Sequence, residues 1–498
     1  MIIRVEAAPP ELISRLHDIV RLYYPGCCLV TGQVAGVAAS ISIKMARKKE
    51  GEALHLQAEV SSNGRKTAAE EVFPLPGNDR EKEGEARRLA RLFIYRLLSR
   101  HHGGKTYPYG ILTGVRPTKL VHRWLDEGMD GADIEQVLRE KYALRHDKAR
   151  LLTGIAGRNR GYLPVPEEAA RLVSVYIGIP YCPSRCHYCS FPGTVLEDYC
   201  GQLKPFLEAL RKEVEALGRA LHELKLAVQC IYVGGGTPTV LAEDDLSRMF
   251  DWLHRYYISD QTVEITVEAG RPDTLNPTKL RTLAGLGVSR ISVNPQTMND
   301  PTLRLIGRNH SVEEVVRSVE WAREAGFRQI NMDLIVGLPH EGIAENTNTA
   351  EMVLQLRPEN ITVHTLALKR GSLLAQTPVS ESLQERVEEV EQGVKLFQDL
   401  LTAAGYVPYY LYRQKYMRAN LENLGYAFPG QFCIYNIQVI EERQTILGLG
   451  CGAASKFVNP RGWTLKSLYN PKDPVSYRNS VDRLAGRKVD NLLGLGIE

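Results

Sequence analysis

Three cysteines fall within one short stretch, Gly178-Ile-Pro-Tyr-Cys-Pro-Ser-Arg-Cys-His-Tyr-Cys-Ser-Phe191, where Cys182, Cys186 and Cys189 are spaced C-x3-C-x2-C. Thiolates this close can reach one inorganic cluster, but they are one short of the four that close it. An iron without a protein ligand is an open coordination site, the condition for chemistry rather than for electron storage alone. Tyr181, directly before Cys182, reads as a shield over such a cluster or as plain packing, and His187 as a packing or supporting residue.

Further polar residues stand at the ends of candidate strands. The run 227–233 ends in Val233-Gly-Gly-Gly-Thr-Pro-Thr239, with Gly235, Gly236 and Thr237 at its centre. Glycines there let a ligand approach the backbone, although a tight strand-closing turn has the same look. Glu268 closes the next strand, where a carboxylate can accept hydrogen bonds from ribose hydroxyls. Gln296 follows the fourth, in Arg290-Ile-Ser-Val-Asn-Pro-Gln296, and Arg308 sits in Ile306-Gly-Arg-Asn-His310. Asp333 lies in the fifth, Ile330-Asn-Met-Asp-Leu-Ile-Val-Gly-Leu-Pro339. Spread over successive strand-helix units, these four make a polar lining for one nucleoside.

The elements that must carry them alternate. From about residue 171, strands at 173–179, 227–233, 262–267, 289–294, 329–335 and 360–366 are separated by helical runs such as 201–220, 242–257, 311–325 and 346–356. Six such units argue for a parallel sheet, either doubly wound or a partial barrel; periodicity does not separate the two. Before them, 11–24 and 80–100 read as helices, and 1–7, 28–44 and 53–60 as β segments. Residues 106–170 read as mostly helical, with a polar turn at 112–119 and a basic turn at 157–161. A long helix follows Ser380 to Ala404, then a tyrosine-rich segment (406–426) and β-like runs at 434–441 and 445–449. This gives an N-terminal α+β domain (1–105), a helical linker region (106–170), the α/β core (171–375) and a C-terminal α+β cap (376–498).

Composition narrows the classes. A chain of 498 residues holds about three domains at roughly 100–200 residues each. A net charge of +4, from 62 basic and 58 acidic residues, excludes a bulk nucleic-acid binder. No apolar run approaches the roughly 18 residues of a membrane span, and the start lacks the layout of a signal peptide. Nine cysteines are an odd number, and Cys27, Cys28, Cys200, Cys230, Cys433 and Cys451 are isolated, so a disulfide framework is not expected. A cytoplasmic, reducing setting is expected.

The cysteine spacing, with Tyr188 before the last thiol, resembles the signature of radical S-adenosylmethionine (radical SAM) enzymes. That resemblance implies a (β/α)6 partial barrel and a [4Fe–4S] cluster whose fourth iron is chelated by the methionine part of S-adenosylmethionine. Gly-Gly-Gly-Thr-Pro-Thr matches the family element that binds the cofactor's amino group. In order and spacing, Glu268, Gln296, Arg308 and Asp333 resemble the cofactor contacts of the oxygen-independent coproporphyrinogen III oxidase family. Leu112-Thr-Gly-Val-Arg-Pro-Thr-Lys119 and the 409–415 segment resemble its longer HemZ, or coproporphyrinogen dehydrogenase, branch. Two departures stand out. Oxidases of the family carry a fourth cysteine where this chain has Phe191, and the related haem chaperones lack it too. The chaperones' His-Asn-Leu-x-Tyr-Trp box has its nearest counterpart in Tyr435-Asn436-Ile437, without the histidine.

The activity this implies is oxidative decarboxylation of two coproporphyrinogen III propionates to vinyls, giving protoporphyrinogen IX. Electrons would come from a reduced flavodoxin- or ferredoxin-type donor. The alternatives are a haem-binding, chaperone-like protein and another radical SAM enzyme acting on a tetrapyrrole. A substrate with four carboxylates calls for cations at the barrel mouth, with Arg308, Lys369, Arg370, Arg413 and Lys415 as candidates. Tyr406, Tyr409, Tyr410, Tyr412 and Tyr416 would cover a flat macrocycle or pack the cap.

Overall fold

A computed structural model describes residues 2–8, 11–25, 27–30, 41–50, 52–62, 64–75, 77–190, 193–196, 201–369, 371–376, 386–414 and 421–494. Phe191, Cys200, Arg370, Lys415 and Tyr416, and the side chain of Cys28, lie outside the described residues. The chain forms two compact units, Met1–Ala156 and Gly157–Glu498.

In the first unit β1 (Ile2–Ala8) runs parallel to both β2 (Cys28–Val30) and β3 (Ile41–Glu50). An antiparallel meander then continues from β3 through β4 (Ala53–Ser62) to β5 (Arg65–Pro74), the last of which carries no sequence expectation. Along β4 inward and outward residues alternate, and Leu54, Leu56 and Val60 join Leu16, Ile19, Phe93 and Leu97 of the helices Glu11–Tyr23 and Asp79–His101 in one core. The segment expected to be helical holds Thr118–Asp126, Gly131–Tyr142 and His146–Asn159. The basic stretch 157–161 is not a free turn: it finishes the last of these helices and enters a short 3-10 helix, Arg160–Tyr162. Gly157 costs that helix only about 1 kcal/mol, too little to end it.

The second unit is built on six parallel strands in sequential order: β6 (Leu172–Ile179), β9 (Ala227–Gly235), β10 (Glu264–Glu268), β11 (Arg290–Ser292), β12 (Ile330–Val336) and β13 (Asn360–Thr365). A two-strand ribbon, β7 (Tyr181–Cys182) with β8 (Thr194–Val195), sits in the loop after β6. The C-terminal region extends the same sheet at both edges. β15 (Asn423–Ala427) adds antiparallel to β13, and β14 (Val407–Tyr412) adds antiparallel to β15 at the edge. β16 (Thr445–Gly450) lies parallel to β6 and leads to antiparallel β17 (Ala454–Asn459) and β18 (Thr464–Tyr469). Among the described residues no helix is long and apolar enough to cross a membrane.

Alternation along the strands separates two environments. Val175, Ile177, Ile231, Val233, Ile265, Val267 and Ile291 are buried under the helices. The opposite face is polar: Ser174 and Tyr176, Tyr232, Glu264 and Glu268, Arg290 and Ser292, Asn331 and Asp333, Thr362 and His364. Asn331 donates to Ser292 at 2.9 Å, and Thr362 meets the Tyr410 hydroxyl at 2.9 Å, so these side chains satisfy one another across the lumen.

The run 434–441 is a helix, Ile434–Glu441, not the strand expected from its β-branched residues. It is buried nearly all round, so no polar stripe announces it. Its start is held by Glu264, whose carboxylate accepts from the Ile434 and Tyr435 amides at 3.0 and 3.1 Å and from the Cys433 thiol at 3.2 Å. A second buried carboxylate, Glu213 of the helix Leu203–Glu223, ties that helix to the C-terminal helix Pro474–Leu493 and to the end of β16. It accepts from Lys488 at 2.6 Å, from Tyr477 at 2.7 Å and from the Gly450 amide at 2.8 Å. Gly450 has φ +81° and a Cβ there would lie 2.4 Å from the Gly178 carbonyl, so this end of β16 can lie against β6 only as glycine.

Candidate active site

The thiols, the glycine turn, Glu268 and Gln296 lie at or just beyond the carboxyl ends of β6 and β9 to β11, Asp333 lies within β12, and Arg308 follows the helix Asp300–Leu305 that comes after β11. The loop after β6 carries the thiols and is pinned at several points. The His187 amide donates to Ile306 O at 2.9 Å, its ring Nδ1 lies 2.9 Å from Leu305 O, and its carbonyl accepts from the Leu374 amide at 2.8 Å. His187 thus acts as a brace, facing Gly307, whose φ of +73° and tight contact with the ring leave no room for a Cβ. Cys182, Cys186 and Cys189 are each partly exposed, and none of the described cysteines is in a disulfide. Cys230, Cys433 and Cys451 are buried, as expected of small apolar residues.

The glycine turn after β9 passes directly over the first thiol. The Gly236 and Thr237 amides donate to Ile179 O and Tyr181 O, each at 2.7 Å. A Cβ on Gly236 would stand 2.9 Å from Cys182 Sγ, and one on Gly193 3.2 Å from it. Burial pushes the Cys182 thiol up to about 11, against the hydrogen bond of the Thr237 side chain. Tyr181 is fully buried, edge-on to Phe206 at 5.5 Å.

Glu268 reaches back to the same turn. Its Oε2 accepts from the Gly235 amide at 3.2 Å and its Oε1 from Tyr232 Oη at 2.7 Å. Among the described residues no cation pairs with it directly, and burial raises its carboxyl to about 7, reinforced by the charge of Asp333. Asp333 goes the other way. Burial would raise it, but the hydrogen bond and charge of His364, then Asn331, hold it below the usual carboxylate range. Its Oδ1 accepts from Asn331 at 2.8 Å and its Oδ2 lies 3.7 Å from His364 Nε2. Gln296 is fixed beside it: the Gln296 amide donates to Asp333 O at 2.9 Å, with Gln296 in the left-handed region at φ 72°.

Arg308 is buried behind the cysteine loop, donating to Gly270 O at 2.8 Å and to Tyr188 Oη at 3.1 Å. His310, two residues on, is buried with neither ring nitrogen hydrogen-bonded among the described residues. Burial, with the charge of Arg308, drives its imidazole down to about 3, so it is neutral.

The structure adds residues that the sequence did not single out. Arg271, 4% exposed, contacts the cysteine loop from the segment after β10. His364 bridges Asp333 to Tyr412, whose hydroxyl lies 3.3 Å from Nδ1. Of the tyrosine group, Tyr406, Tyr409 and Tyr410 are buried packing residues, Tyr409 lying flat on Phe432 at 4.9 Å. A different stack, Tyr176, Tyr232 and Tyr435, lines the lumen below the site, with Tyr232 and Tyr435 centroids 4.6 Å apart. Arg413 is not a mouth cation: it is 5% exposed and donates to Leu421 O at 3.4 Å. Lys369 is half-buried within electrostatic reach of Cys189, its ammonium lowered by burial. A cavity of about 610 Å³ between Met298, Asp300, Leu305, His340 and Glu345 contains none of the site residues.

Among the described residues no three His, Cys, Asp or Glu side chains converge on a single metal ion. A four-iron cluster does not ask that of its ligands, since it offers a separate iron to each thiolate. The donor set fits such a group: three thiols, the Arg271 guanidinium on Cys186 Sγ, and two glycines held against the first sulfur.

Comparison with known proteins bears on the same residues. The Radical SAM superfamily profile matches residues 176–353. The oxygen-independent coproporphyrinogen-III oxidase-like protein HemZ of Bacillus subtilis is 37% identical over 494 residues, 99% of this chain and 98% of that protein. The haem chaperone HemW of Escherichia coli is 30% identical over 303 residues, 59% of this chain and 73% of its own length. Among solved structures, the coproporphyrinogen III oxidase HemN of Escherichia coli, described as a radical SAM enzyme, matches with a TM-score of 0.50 at 24% identity, over 64% of this chain and 72% of that one.

Proposed function

We propose a function from one premise: this chain belongs to the oxygen-independent coproporphyrinogen-III oxidase-like family of radical SAM proteins. The fold is the family's α/β partial barrel, and membership brings a [4Fe–4S] cluster and S-adenosylmethionine as cofactors. The reaction is oxidative decarboxylation of coproporphyrinogen III propionates to vinyls, giving protoporphyrinogen IX in haem biosynthesis, with a reduced flavodoxin- or ferredoxin-type protein as electron donor. The observation that carries it is likeness along the whole chain, both units included, to a protein named as oxidase-like.

Cys182, Cys186 and Cys189 hold the cluster, and Gly235, Gly236 and Thr237 present backbone to the amino-acid end of the cofactor. Glu268, Gln296 and Asp333 offer acceptors and an amide for its hydroxyls and base, and Arg308 acts through Tyr188 on the wall between them. When bound, cluster and cofactor supply one-electron cleavage of S-adenosylmethionine and removal of a hydrogen atom from an unactivated carbon. The chain's own part is to place and to shield. Tyr181 and the glycine turn keep water from Cys182, while His187 and Arg308 fix the loop from behind. With a pKa about 7, Glu268 can hold or release a proton beside the cofactor site near neutrality.

The test is anaerobic incubation of the reconstituted, reduced protein with S-adenosylmethionine and coproporphyrinogen III, with mass analysis of nucleoside and porphyrin together. Loss of carbon dioxide matched to 5′-deoxyadenosine is the expected result. An unchanged porphyrin with tight haem binding overturns it in favour of a second reading, haem delivery, for which the likeness to the chaperone over 59% of the chain speaks.

A further inference from the structure

Arg271 is a charged side chain with 4% exposure, set in the segment that follows β10, three residues past the strand's end at Glu268. Its guanidinium has two faces. One is held bidentately by Asp273, with Nε to Oδ1 at 3.1 Å and the Nη2 nitrogen to Oδ2 at 2.9 Å. The other is turned onto the cysteine loop, where Nη2 donates to Ser184 Oγ at 2.7 Å and Nη1 to Ser184 O at 3.3 Å and to Cys186 Sγ at 3.5 Å. The same charge is felt at Cys182. A guanidinium cannot give up its proton here, so it is a permanent cation against a sulfur.

Burying this cation is costly, and Asp273 only partly offsets it. A purely structural anchor for Ser184 needs one neutral donor. The bidentate carboxylate instead fixes the plane of the guanidinium so that one N–H points at Cys186. Reduction adds an electron to a cluster, and its charge spreads onto the ligating sulfurs. A cation hydrogen-bonded to one of them stabilises the reduced state more than the oxidised one and raises the reduction potential.

We propose that Arg271 is a positioning and tuning residue which, through its N–H to Cys186 Sγ and its buried charge, makes the cluster easier to reduce, with Asp273 setting how much of that charge the cluster feels. This rests on the reading that Cys186 ligates the cluster. Arg271 thereby links the strand end that carries Glu268 to the redox centre, so the segment serving the nucleoside also sets the ease of electron entry.

Two variants of the full-length, reconstituted protein test it, each read as iron per chain and as the midpoint of a mediated redox titration followed by electron paramagnetic resonance, without S-adenosylmethionine. Arg271→Gln is expected to keep iron and shift the midpoint to more negative potential, with Arg271→Lys between it and the wild type. Asp273→Asn, which leaves the cation uncompensated, is expected to shift the midpoint the opposite way. Opposite shifts support the proposal. Unchanged midpoints, or two shifts in one direction, overturn it while leaving the cluster assignment standing. Should Arg271→Gln lose its iron, Asp273→Asn decides alone: a more positive midpoint supports the proposal, and an unchanged or more negative one overturns it. A wild-type protein that takes up no cluster would overturn both the proposal and the reading beneath it.

Discussion

Two glutamates on β10, four residues apart and facing the same lumen, do opposite work. Glu264, at the floor, accepts from two helix amides and the Cys433 thiol and lies 3.4 Å from Arg290, itself 5% exposed. Glu268, at the mouth, has one tyrosine hydroxyl and one glycine amide. The strand supplies the same side chain to both; what differs is how completely its charge is compensated. A carboxylate with every lone pair answered by an amide or a cation is part of the fold. One left with burial and no cation keeps a proton to near neutrality and has capacity to spare for a ligand.

The largest expected effect lies at the floor. Glu264→Gln leaves Arg290 a buried cation without a counter-charge and loosens the N-terminus of Ile434–Glu441, so it should cost about 3–5 kcal/mol in denaturant unfolding. A loss under about 1 kcal/mol would break the comparison, because the floor carboxylate would then be no more structural than the one at the mouth.

At the mouth the sign reverses. The folded-state pKa of Glu268 is raised, so its contribution to stability is intact below the unfolded value near 4.3 and is lost as pH rises through about 7. Glu268→Gln removes that penalty. The cofactor-free variant should be more stable than wild type at pH 8, on the order of 2 kcal/mol, and level with it near pH 4.5. Equal stability at both pH values would place Glu268 among the compensated carboxylates.

The upper part of this scheme was legible in the sequence, and the floor was not. Strand ends announce themselves through the residues just beyond them: Val233-Gly-Gly-Gly, Glu268 before Ala269-Gly270, and the cysteine spacing after Ile179 all mark where apolar alternation stops. The helix 434–441 carries no such mark. Its Ile, Val and Tyr are wrapped on all sides, so the polar face that identifies a surface helix is missing, and its N-terminal amides are satisfied by a glutamate 170 residues earlier. Arg271 and His364 were missed for a related reason. Arginine in a loop and histidine in a strand are ordinary in a sequence, and only the contact to Cys186 Sγ, or to Asp333 and Tyr412 together, distinguishes them. For Tyr406, Tyr409 and Tyr410 the sequence left two readings, a cover for a macrocycle or packing of the cap, and their burial is that of packing.

Asp333 sharpens the comparison with Glu268, for it faces the same opening with its pKa moved in the opposite direction. Its contribution to stability is present above the ordinary aspartate value of about 4 and is lost as pH falls through the lower folded-state value. Asp333→Asn should therefore be less stable than wild type at pH 7, where Glu268→Gln is not. It should also weaken S-adenosylmethionine binding by about tenfold with the iron content unchanged, the size of one charge-assisted hydrogen bond to a hydroxyl. Iron loss in that variant would assign Asp333 to the fold instead.

The smallest effect is the most diagnostic. Removing the imidazole as His364→Phe takes away the largest of the partners that together outweigh burial at Asp333; the hydrogen bonds of Asn331 and Thr362 remain, while Glu268, Tyr232, Tyr410 and Tyr412 either repel its charge or stay neutral. The Asp333 carboxyl then rises, and Asp333 comes to resemble Glu268. Binding of S-adenosylmethionine by the variant, measured by calorimetry on reconstituted protein, should weaken by a few-fold between pH 8 and pH 6 in excess of any change in wild type. The added pH dependence should disappear in His364→Phe/Asp333→Asn, because no carboxyl is left there to protonate. If the single and double variants share one pH profile, His364 does not set the charge of Asp333, and the difference between the two mouth carboxylates must come from their strands alone.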